Sequence, residues 1–244
     1  MLLSIVTVTK NDFEGVQKTL SSTKALRQNP LIEQLIIDSS DSEVAEKIEA
    51  LSVSESGVRY IYQPPQGISP AFNLGISEAL GQWFWCLNGG DELHEMCPLP
   101  LLESLMQNSL ADALIFEMES IKGISQRPAF FTLWPPVFNW VPHPSTLIRT
   151  TTIASLGGFR EDFKIAMDVE LWLRLLSSPA RIDLISIPLA RFAPGGLSSQ
   201  TPKTAAEIRK AMWLHKHLLW KCFFESGHKV YRAWRHFGRR ARGK

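Results

Sequence analysis

Short apolar stretches alternate with segments of helical periodicity in the N-terminal part of the chain, and this alternation limits the fold more than any other feature. The apolar stretches run almost without polar interruption, as strands do in a sheet covered on both faces. Strands and helices that alternate with short links are typical of a parallel sheet. We therefore predict an α/β fold with a mostly parallel central sheet flanked by helices, with strands at 3–9, 31–37, 58–62 and 82–87 and helices at 13–28, 42–52 and 69–80.

The order of elements is less regular in the second half of the chain. Residues 122–142 hold four prolines and several aromatic residues with little periodicity, which predicts a long loop that shapes a pocket. The sequence FAPGGLSS at 192–199 predicts a mobile segment. Hydrophobic periodicity around these segments predicts further helices at 99–109 and 168–176 and strands at 112–119, 145–149 and 181–188.

Polar residues collect where the predicted strands end. They follow the first strand at 9–12, the second at 38–41 and the fourth at 88–91. Ligands of open α/β sheets bind at the carboxyl ends of the strands, so these clusters indicate a site for a cation or for sugar hydroxyls. The alternative is that they are helix caps and turns. For Asp91 the two preceding glycines favour the functional interpretation, because they let a ligand approach the backbone closely.

The charge of the chain is divided unevenly. The last 44 residues hold 12 Lys and Arg against 2 Asp and Glu, whereas the first 200 hold 14 against 22. This predicts a globular domain over 1–200 and a basic tail over 201–244, with amphipathic helices at 203–224 and 228–240. Basic helices that also carry Trp and Phe bind anionic membrane surfaces. Packing of the tail on the domain is the alternative, while nucleic-acid binding through RRARGK is not favoured because no matching fold accompanies it.

The cysteines and the N-terminus bear on the compartment. Three cysteines without a C-x-x-C spacing indicate a reducing environment and no zinc site. The sequence MLLSIVTVTKND lacks the basic region and the cleavage site of a signal peptide, so we interpret it as a first strand. Without 18 consecutive apolar residues, a spanning helix is not predicted. We expect a cytoplasmic protein, peripheral on the inner face of the plasma membrane.

Five stretches of the sequence together resemble a known family. The stretches are SIVTVTKND at 4–12, LIIDSSDS at 35–42, QGISPAFNLGISEALGQWFWCLNGGDEL at 66–93, HPSTLIR at 143–149 and LGGFREDFKIAMDVELWLRL at 156–175. In this order and spacing they are similar to the family 2 glycosyltransferases of the GT-A fold, whose central sheet is Rossmann-like, and especially to bacterial enzymes of the colanic-acid and exopolysaccharide type. The resemblance covers about residues 1–200.

For single residues, the resemblance implies a donor side and an acceptor side. Asp91 is the remaining acid of the family's metal motif and implies Mg²⁺ or Mn²⁺ as cofactor. Asp168 matches the catalytic base and His143 lies on the acceptor side, while residues 191–198 match a segment that closes over the donor. The residues implied to bind the nucleotide-sugar donor are Thr7, Thr9, Asp38, Gly67, Asn73, Gly90 and, on the pyrophosphate side, Arg174.

Each of these assignments has a simpler structural alternative. Asp168 could cap the helix that follows it, and Arg174 could pair with Glu170 one helical turn earlier. His143 could be an exposed loop residue, and Asp38 a turn acid.

The implied chemistry is consistent with these residue types. A departing nucleoside diphosphate develops negative charge, which a divalent cation neutralises. An acceptor hydroxyl has a high pKa, so a carboxylate must take its proton in the transition state, and one such base is enough for an inverting displacement. We therefore predict a hexosyltransferase-type enzyme of surface or exopolysaccharide biosynthesis that uses a nucleotide-sugar donor and a saccharide or lipid-linked acceptor.

One departure from the family pattern keeps an alternative open. The metal motif reads Gly89-Gly90-Asp91, with one acid where many relatives have two. The alternative is a catalytically degenerate GT-A-like binding or scaffold protein in a polysaccharide assembly complex. Other enzyme classes fit less well, because no G-x-G-x-x-G follows the first strand, as a Rossmann dehydrogenase requires, and TVTKNDFEG is a poor match to the Gly-rich loop of nucleotidyltransferases.

Overall fold

The computed structural model describes residues 1–120, 125–126, 141–193 and 201–215, which form an α/β structure around one sheet. Within these ranges the sheet has nine strands: β1 Leu3–Thr9, β2 Ile32–Asp38, β3 Val58–Tyr62, β4 Trp83–Cys86, β5 Glu92–Leu93, β6 Ala113–Ser120, β7 Ser125–Gln126, β8 Thr146–Arg149 and β9 Ile182–Phe192. The helices of the same ranges are α1 Phe13–Thr23, α2 Ser42–Ser54, α3 Ile68–Glu78, α4 Leu99–Asn108, α5 Thr150–Ser155, α6 Met167–Ser177 and α7 Thr201–Leu214.

Most of the strand pairing is parallel. The strands β3, β2, β1 and β4 lie side by side in that order and run in one direction. β8 continues the sheet from β4 to β6 with antiparallel pairing on both sides. β6 pairs in parallel with β9, and β5 closes this side antiparallel to β9. The predicted α/β fold with a mostly parallel central sheet is confirmed.

The first helix is shorter than its periodicity predicts. It begins as expected, since the Asp12 side chain accepts a hydrogen bond of 2.9 Å from the Gly15 N–H. It ends at Thr23, whose hydroxyl lies 2.7 Å from Oε1 of Gln34 on β2. Thr and Ser hydroxyls offer a helix end alternative hydrogen bonds, and here one of them ties the helix to the sheet. The chain then enters β2 through a 3-10 turn at Leu26–Gln28.

Helix α5 and strand β5 are among the elements that sequence reasoning missed. Helix α5 contains three threonines, which have low helix propensity, and Thr152 donates a hydrogen bond of 2.9 Å to the Asp112 carboxylate. Strand β5 has two residues and exists through its pairing with Arg191 and Ala190 of β9, far along the chain. Tertiary contacts form both elements, so local patterns do not reveal them.

Strand β4 is buried on both faces. Trp83 and Trp85 pack in the core on one side of the sheet, and Phe84 and Cys86 pack in the core on the other. Both indole N–H groups donate to backbone carbonyls at 2.8 and 2.7 Å. Since the strand is fixed on both sides, the residues that follow it start from a rigid point.

Several predictions fall outside the described residues. Most of the loop at 122–142, most of the segment at 192–199 and the tail from 216 onward lie there. Of the basic tail, α7 is described, and its Ala211 is fully buried in the core of the domain. The boundary between 200 and 201 stays a prediction. Among the described helices, none combines the length and the apolar character that crossing a membrane requires.

Candidate active site

The parallel register of four strands brings the polar clusters to one edge of the sheet. Thr9 at the end of β1 is paired with Asp38 at the end of β2, and Asp38 is paired with Tyr62 of β3. On the other side of β1, the Gly89 N–H donates to the Val8 carbonyl at 3.2 Å. The predicted clusters at the ends of β1, β2 and β4 therefore meet at this edge.

Asp38 is a buried carboxylate whose two oxygens both accept hydrogen bonds. Oδ1 accepts from the backbone N–H and the hydroxyl of Ser40, at 2.9 and 2.5 Å. Oδ2 accepts from the Tyr60 hydroxyl at 2.9 Å. Burial and the neighbouring Asp38 raise the pKa of Tyr60, so its hydroxyl keeps the proton it donates. Asp38 is thus held in place by three donors.

The turn after β4 delivers Asp91 to the same edge. Gly90 has φ +92, a conformation that side chains other than glycine rarely adopt. The Thr19 hydroxyl of α1 fixes the turn, since it accepts from the Gly90 N–H at 3.0 Å and donates to the Asp91 carbonyl at 2.7 Å. A Cβ on Gly89 would lie 3.4 Å from Oγ1 of Thr9, which shows how closely the turn approaches β1.

The Asp91 carboxylate is almost completely buried, with 2% of the residue exposed, and only half of it is hydrogen-bonded. Oδ1 accepts a hydrogen bond of 2.9 Å from the N–H of Ala193, the residue directly after β9. Among the described residues, Oδ2 has no hydrogen-bond partner. Burial raises the pKa of Asp91 to about 7, although hydrogen bonds from Ala193 and Asn88 oppose the rise. A buried, half-satisfied carboxylate with a raised pKa is typical of a functional site.

The oxygen atoms at this edge fit a hard divalent cation. Besides Oδ2 of Asp91, Oδ1 of Asn88 and Oγ1 of Thr9 are buried without a hydrogen-bond partner in the part of the chain that the structure describes. Mg²⁺ takes oxygen ligands and is commonly held by one or two carboxylates together with substrate phosphates and water. Among the described residues no group of three or more His, Cys, Asp and Glu side chains could hold a metal by itself. The residues present therefore fit a metal that arrives with a diphosphate.

Asp168 lies in the first turn of α6, with its carboxylate 2.8 Å from the Val169 N–H. Its charge acts on two neighbours. It opposes the burial that lowers the pKa of His143, and it adds to the burial that raises the pKa of Cys86 at the end of β4. The structure therefore places Asp168 near the carboxyl end of β4, on the face of the sheet that carries α3 and α6.

His143 is buried among aromatic rings, so the alternative of an exposed loop residue is wrong. The ring centroids of Phe72, Phe159 and Trp172 lie 5.4, 5.9 and 6.0 Å from that of His143. Within the described ranges, neither ring nitrogen of His143 has a hydrogen-bond partner, and neither does Nε1 of Trp172. Burial lowers the pKa of His143, which favours the neutral imidazole.

Two of the residues predicted to bind the nucleotide-sugar donor, Asn73 and Thr7, make contacts within the protein. Asn73 of α3 donates to the Phe159 carbonyl at 2.9 Å and accepts from the Phe159 N–H at 2.8 Å, which joins α3 to the loop before α6. Thr7 is fully buried and accepts from the Gln34 amide at 3.0 Å. Gly67 precedes α3 with φ +115. Direct donor contacts of these residues stay predictions.

Arg174 forms the ion pair with Glu170 that was the alternative to a role in donor binding. Its guanidinium donates to the buried Glu170 at distances down to 2.7 Å and to the Leu156 and Gly158 carbonyls. These contacts occupy Arg174 inside the domain, and a contact with pyrophosphate stays a prediction.

Sequence reasoning missed two contributors to the site, Thr19 and Tyr60. Both lie on elements whose periodicity explains them as packing residues, and their roles come from contacts with Asp91 and Asp38 on other elements. Ala193 belongs to the segment at 191–198 that the resemblance placed over the donor, and it acts through its backbone N–H.

Comparisons with known proteins identify the family. The family described as Glycosyl transferase family 2 matches residues 4–139, which include β1 through β4 and Asp91. Two uncharacterized glycosyltransferases of Mycobacterium tuberculosis, from strains CDC 1551 / Oshkosh and H37Rv, are each 28% identical over 225 residues. These matches cover 88% of this chain and 84% of each relative.

Solved structures share the fold. A crystal structure of S. aureus TarS 1-349 in complex with UDP-GlcNAc matches with a TM-score of 0.68 at 16% identity, and the complex with UDP matches with a TM-score of 0.67. Each match covers 88% of this chain and 65% of that chain, so this chain spans less than two thirds of that TarS structure. The expected GT-A fold is confirmed. Because the family match includes more than half of its residues, the chain belongs to glycosyl transferase family 2.

Proposed function

We propose that this protein transfers a sugar from a nucleoside-diphosphate sugar to a hydroxyl of a saccharide or lipid-linked acceptor in surface or exopolysaccharide biosynthesis. The observation that carries the proposal is Asp91, a buried carboxylate at the strand-end edge with a pKa raised to about 7 and with one oxygen that no described residue contacts by a hydrogen bond. Burying a carboxylate anion without a full set of hydrogen bonds costs free energy, unless a bound ligand supplies the missing interaction. The UDP and UDP-GlcNAc bound in the TarS structures support a nucleotide-sugar donor.

Asp91, with Asn88 and Thr9 at the same edge, would hold Mg²⁺ or Mn²⁺ together with the donor diphosphate. The bound cation would neutralise the charge that develops on the leaving diphosphate. The protein's own contribution is a rigid and dry position for the carboxylate, fixed by Thr19 and by the Ala193 N–H. Electrostatic stabilisation is strong in such a site because little reorganisation accompanies the reaction.

Asp168 is the proposed base. It takes the proton of the attacking hydroxyl at its carboxylate, opposite the departing diphosphate, so the transfer inverts the anomeric centre. His143 is proposed for the acceptor side: burial favours its neutral imidazole, and its ring nitrogens have no hydrogen-bond partner among the described residues. The Asp168→Asn variant is expected to lose transfer while it still binds the donor nucleotide.

The basic tail supports a location at a membrane. An acceptor linked to a lipid is confined to the bilayer, and a basic segment with aromatic residues would confine the enzyme to the same plane. We propose a peripheral position on the cytoplasmic face of the plasma membrane. Sedimentation with vesicles that contain anionic lipid tests this, and an equal association with neutral vesicles would contradict it.

The experiment that tests the function is calorimetric titration of the full chain with UDP, GDP and dTDP, each with and without Mn²⁺. We expect one nucleotide to bind in a Mn²⁺-dependent manner and Asp91→Asn to abolish this dependence. The control is Glu46→Gln, which neutralises an exposed carboxylate on α2 and is expected to bind as the wild type does. If the folded wild type binds none of the three, the proposal fails and a scaffold role in a polysaccharide assembly complex takes its place.

A further inference from the structure

Helix α6, which carries Asp168, begins without a side-chain cap of its own. The residue before its first turn is Ala166, which has no side chain that could accept a hydrogen bond. Backbone N–H groups at the start of a helix need acceptors and favour a negative charge nearby. The segment that leads into α6 therefore depends on another part of the chain.

Glu207 of α7 supplies these acceptors. Its carboxylate accepts hydrogen bonds from three consecutive N–H groups, at 3.0 Å from Lys164, 2.8 Å from Ile165 and 2.9 Å from Ala166. Successive N–H groups that converge in this way form an anion-binding concavity. Burial acts to raise the pKa of Glu207, but the three hydrogen bonds outweigh it and the pKa is lowered, so the side chain is held as an anion.

Other residues of the α7 segment fix it to the same region. The Lys210 ammonium lies 2.8 Å from the Asp162 carboxylate and 4.4 Å from the centre of the Phe163 ring. Beyond the helix end, Nε2 of His215 lies 3.0 Å from the buried Glu170 carboxylate of α6. The α7 segment thus contacts the residues that lead into α6 and, beyond Asp168, Glu170 on the helix itself.

We propose that Glu207 is a positioning residue for Asp168: by holding residues 164–166 it fixes the first turn of α6 and keeps the Asp168 carboxylate near the end of β4. The inference rests on the proposed function, since it presumes that Asp168 is the base. Small displacements of a reacting group lower a rate strongly while substrate binding elsewhere persists. The loss of Glu207 is therefore expected to lower kcat and to leave the KM for the donor nearly unchanged.

The test combines hydrogen exchange with kinetics on the full chain. Glu207→Gln keeps the shape of the side chain and removes its charge, and Glu207→Ala removes the acceptors altogether. For both we expect exchange of the amides at 164–166 to become about tenfold faster or more. We expect kcat to fall about 10- to 100-fold, with the donor KM within about twofold of wild type, and Glu207→Gln to be the milder variant. The donor probes are UDP-GlcNAc, GDP-mannose and dTDP-glucose, assayed by release of the nucleoside diphosphate.

Arg209→Gln is the matched control, because Arg209 is an exposed charged residue of the same helix. It is expected to change neither exchange nor kcat. Unchanged exchange at 164–166 in both Glu207 variants, or faster exchange with a kcat within twofold of wild type, would overturn the inference. If the wild type itself releases no diphosphate, it is the proposed function that has failed, and the exchange result still decides whether Glu207 holds the start of α6.

Discussion

Asp38 is the last residue of β2 and Asp91 follows the turn after β4; these two strands flank β1, and both carboxylates are buried. Asp38 accepts hydrogen bonds on both oxygens, from Ser40 and from Tyr60. Asp91 accepts on one oxygen, from Ala193, while the other has no partner among the described residues. Within that part of the chain the hydrogen bonds of Asp38 are complete, whereas Asp91 keeps one oxygen for a ligand. Burial of an acid at a strand end is therefore a weaker sign of a binding group than a missing partner is, and a donor contact of Asp38 stays a prediction.

The same substitution at both positions gives the largest test of this contrast. Asp91→Asn removes the charge proposed to hold the cation, and we expect kcat/KM for transfer to fall about 1000-fold. Asp38→Asn is expected to cost about tenfold, because this side chain mainly keeps the edge in shape. Steady-state kinetics of the two variants measure the ratio. Equal losses would show that the two acids do not differ in the way their hydrogen bonds indicate.

The pH dependence of stability gives a second test. The pKa of Asp91 is raised from 3.8 to about 7 in the folded protein, so the folded state binds this proton more tightly than the unfolded state. The stability gained in this way is complete below pH 3.8 and is lost as the pH rises through 7. Asp91→Asn escapes this loss, and without nucleotide or metal it is expected to exceed the wild type in free energy of unfolding by roughly 2–4 kcal/mol at pH 8.

Urea denaturation at pH 4.5, 6 and 8 measures the difference, which is expected to vanish toward the lowest pH. Mn²⁺ competes with the same proton, so metal-dependent nucleotide binding is expected to strengthen as the pH rises from 6 to 8. A wild type that is as stable as the variant at pH 8 would contradict the raised pKa.

At the other carboxylate the effect on stability is expected to have the opposite sign. Asp38→Asn turns an amide N–H₂ toward either Ser40 or Tyr60, both of which donate to the native side chain. One donor is left without an acceptor, which costs about 1–3 kcal/mol. Urea denaturation at pH 8 is expected to show Asp38→Asn below the wild type and Asp91→Asn above it. Two shifts of the same sign would break the comparison.

The smallest expected effect lies in the turn before Asp91. Gly90 has φ +92, and a Cβ there would lie 3.3 Å from Cβ of Ala193, the residue whose N–H holds Asp91. Gly90→Ala is expected to lower the free energy of unfolding by about 1–2 kcal/mol and to weaken nucleotide binding several-fold. Thermal unfolding and calorimetry measure the two effects. Gly157→Ala is the comparison, because Gly157 has φ +86 with open space around it. This variant should lose stability and bind the nucleotide as the wild type does.

The edge of the sheet could be predicted from sequence, because apolar strands and the polar residues after them are local signals. The difference between Asp38 and Asp91 could not, since their partners are Tyr60 of β3 and Ala193, the residue after β9. The burial of His143 depends in the same way on rings from α3, α6 and the loop before α6. A contact one helical turn away, such as that between Arg174 and Glu170, was accessible to sequence reasoning as an alternative.

The contacts of α7 also guide where the chain can be shortened. The change from acidic to basic composition suggests a cut at residue 200 for anyone who wishes to remove the basic end before crystallisation or binding assays. Such a cut would take away Glu207, the hydrogen-bond acceptor for 164–166, together with Ala211 from the core. A cut after His215 keeps both residues and still removes most of the positive charge of the basic tail. The change in composition at residue 200 therefore does not coincide with the end of the segment that holds the start of α6 and packs in the core.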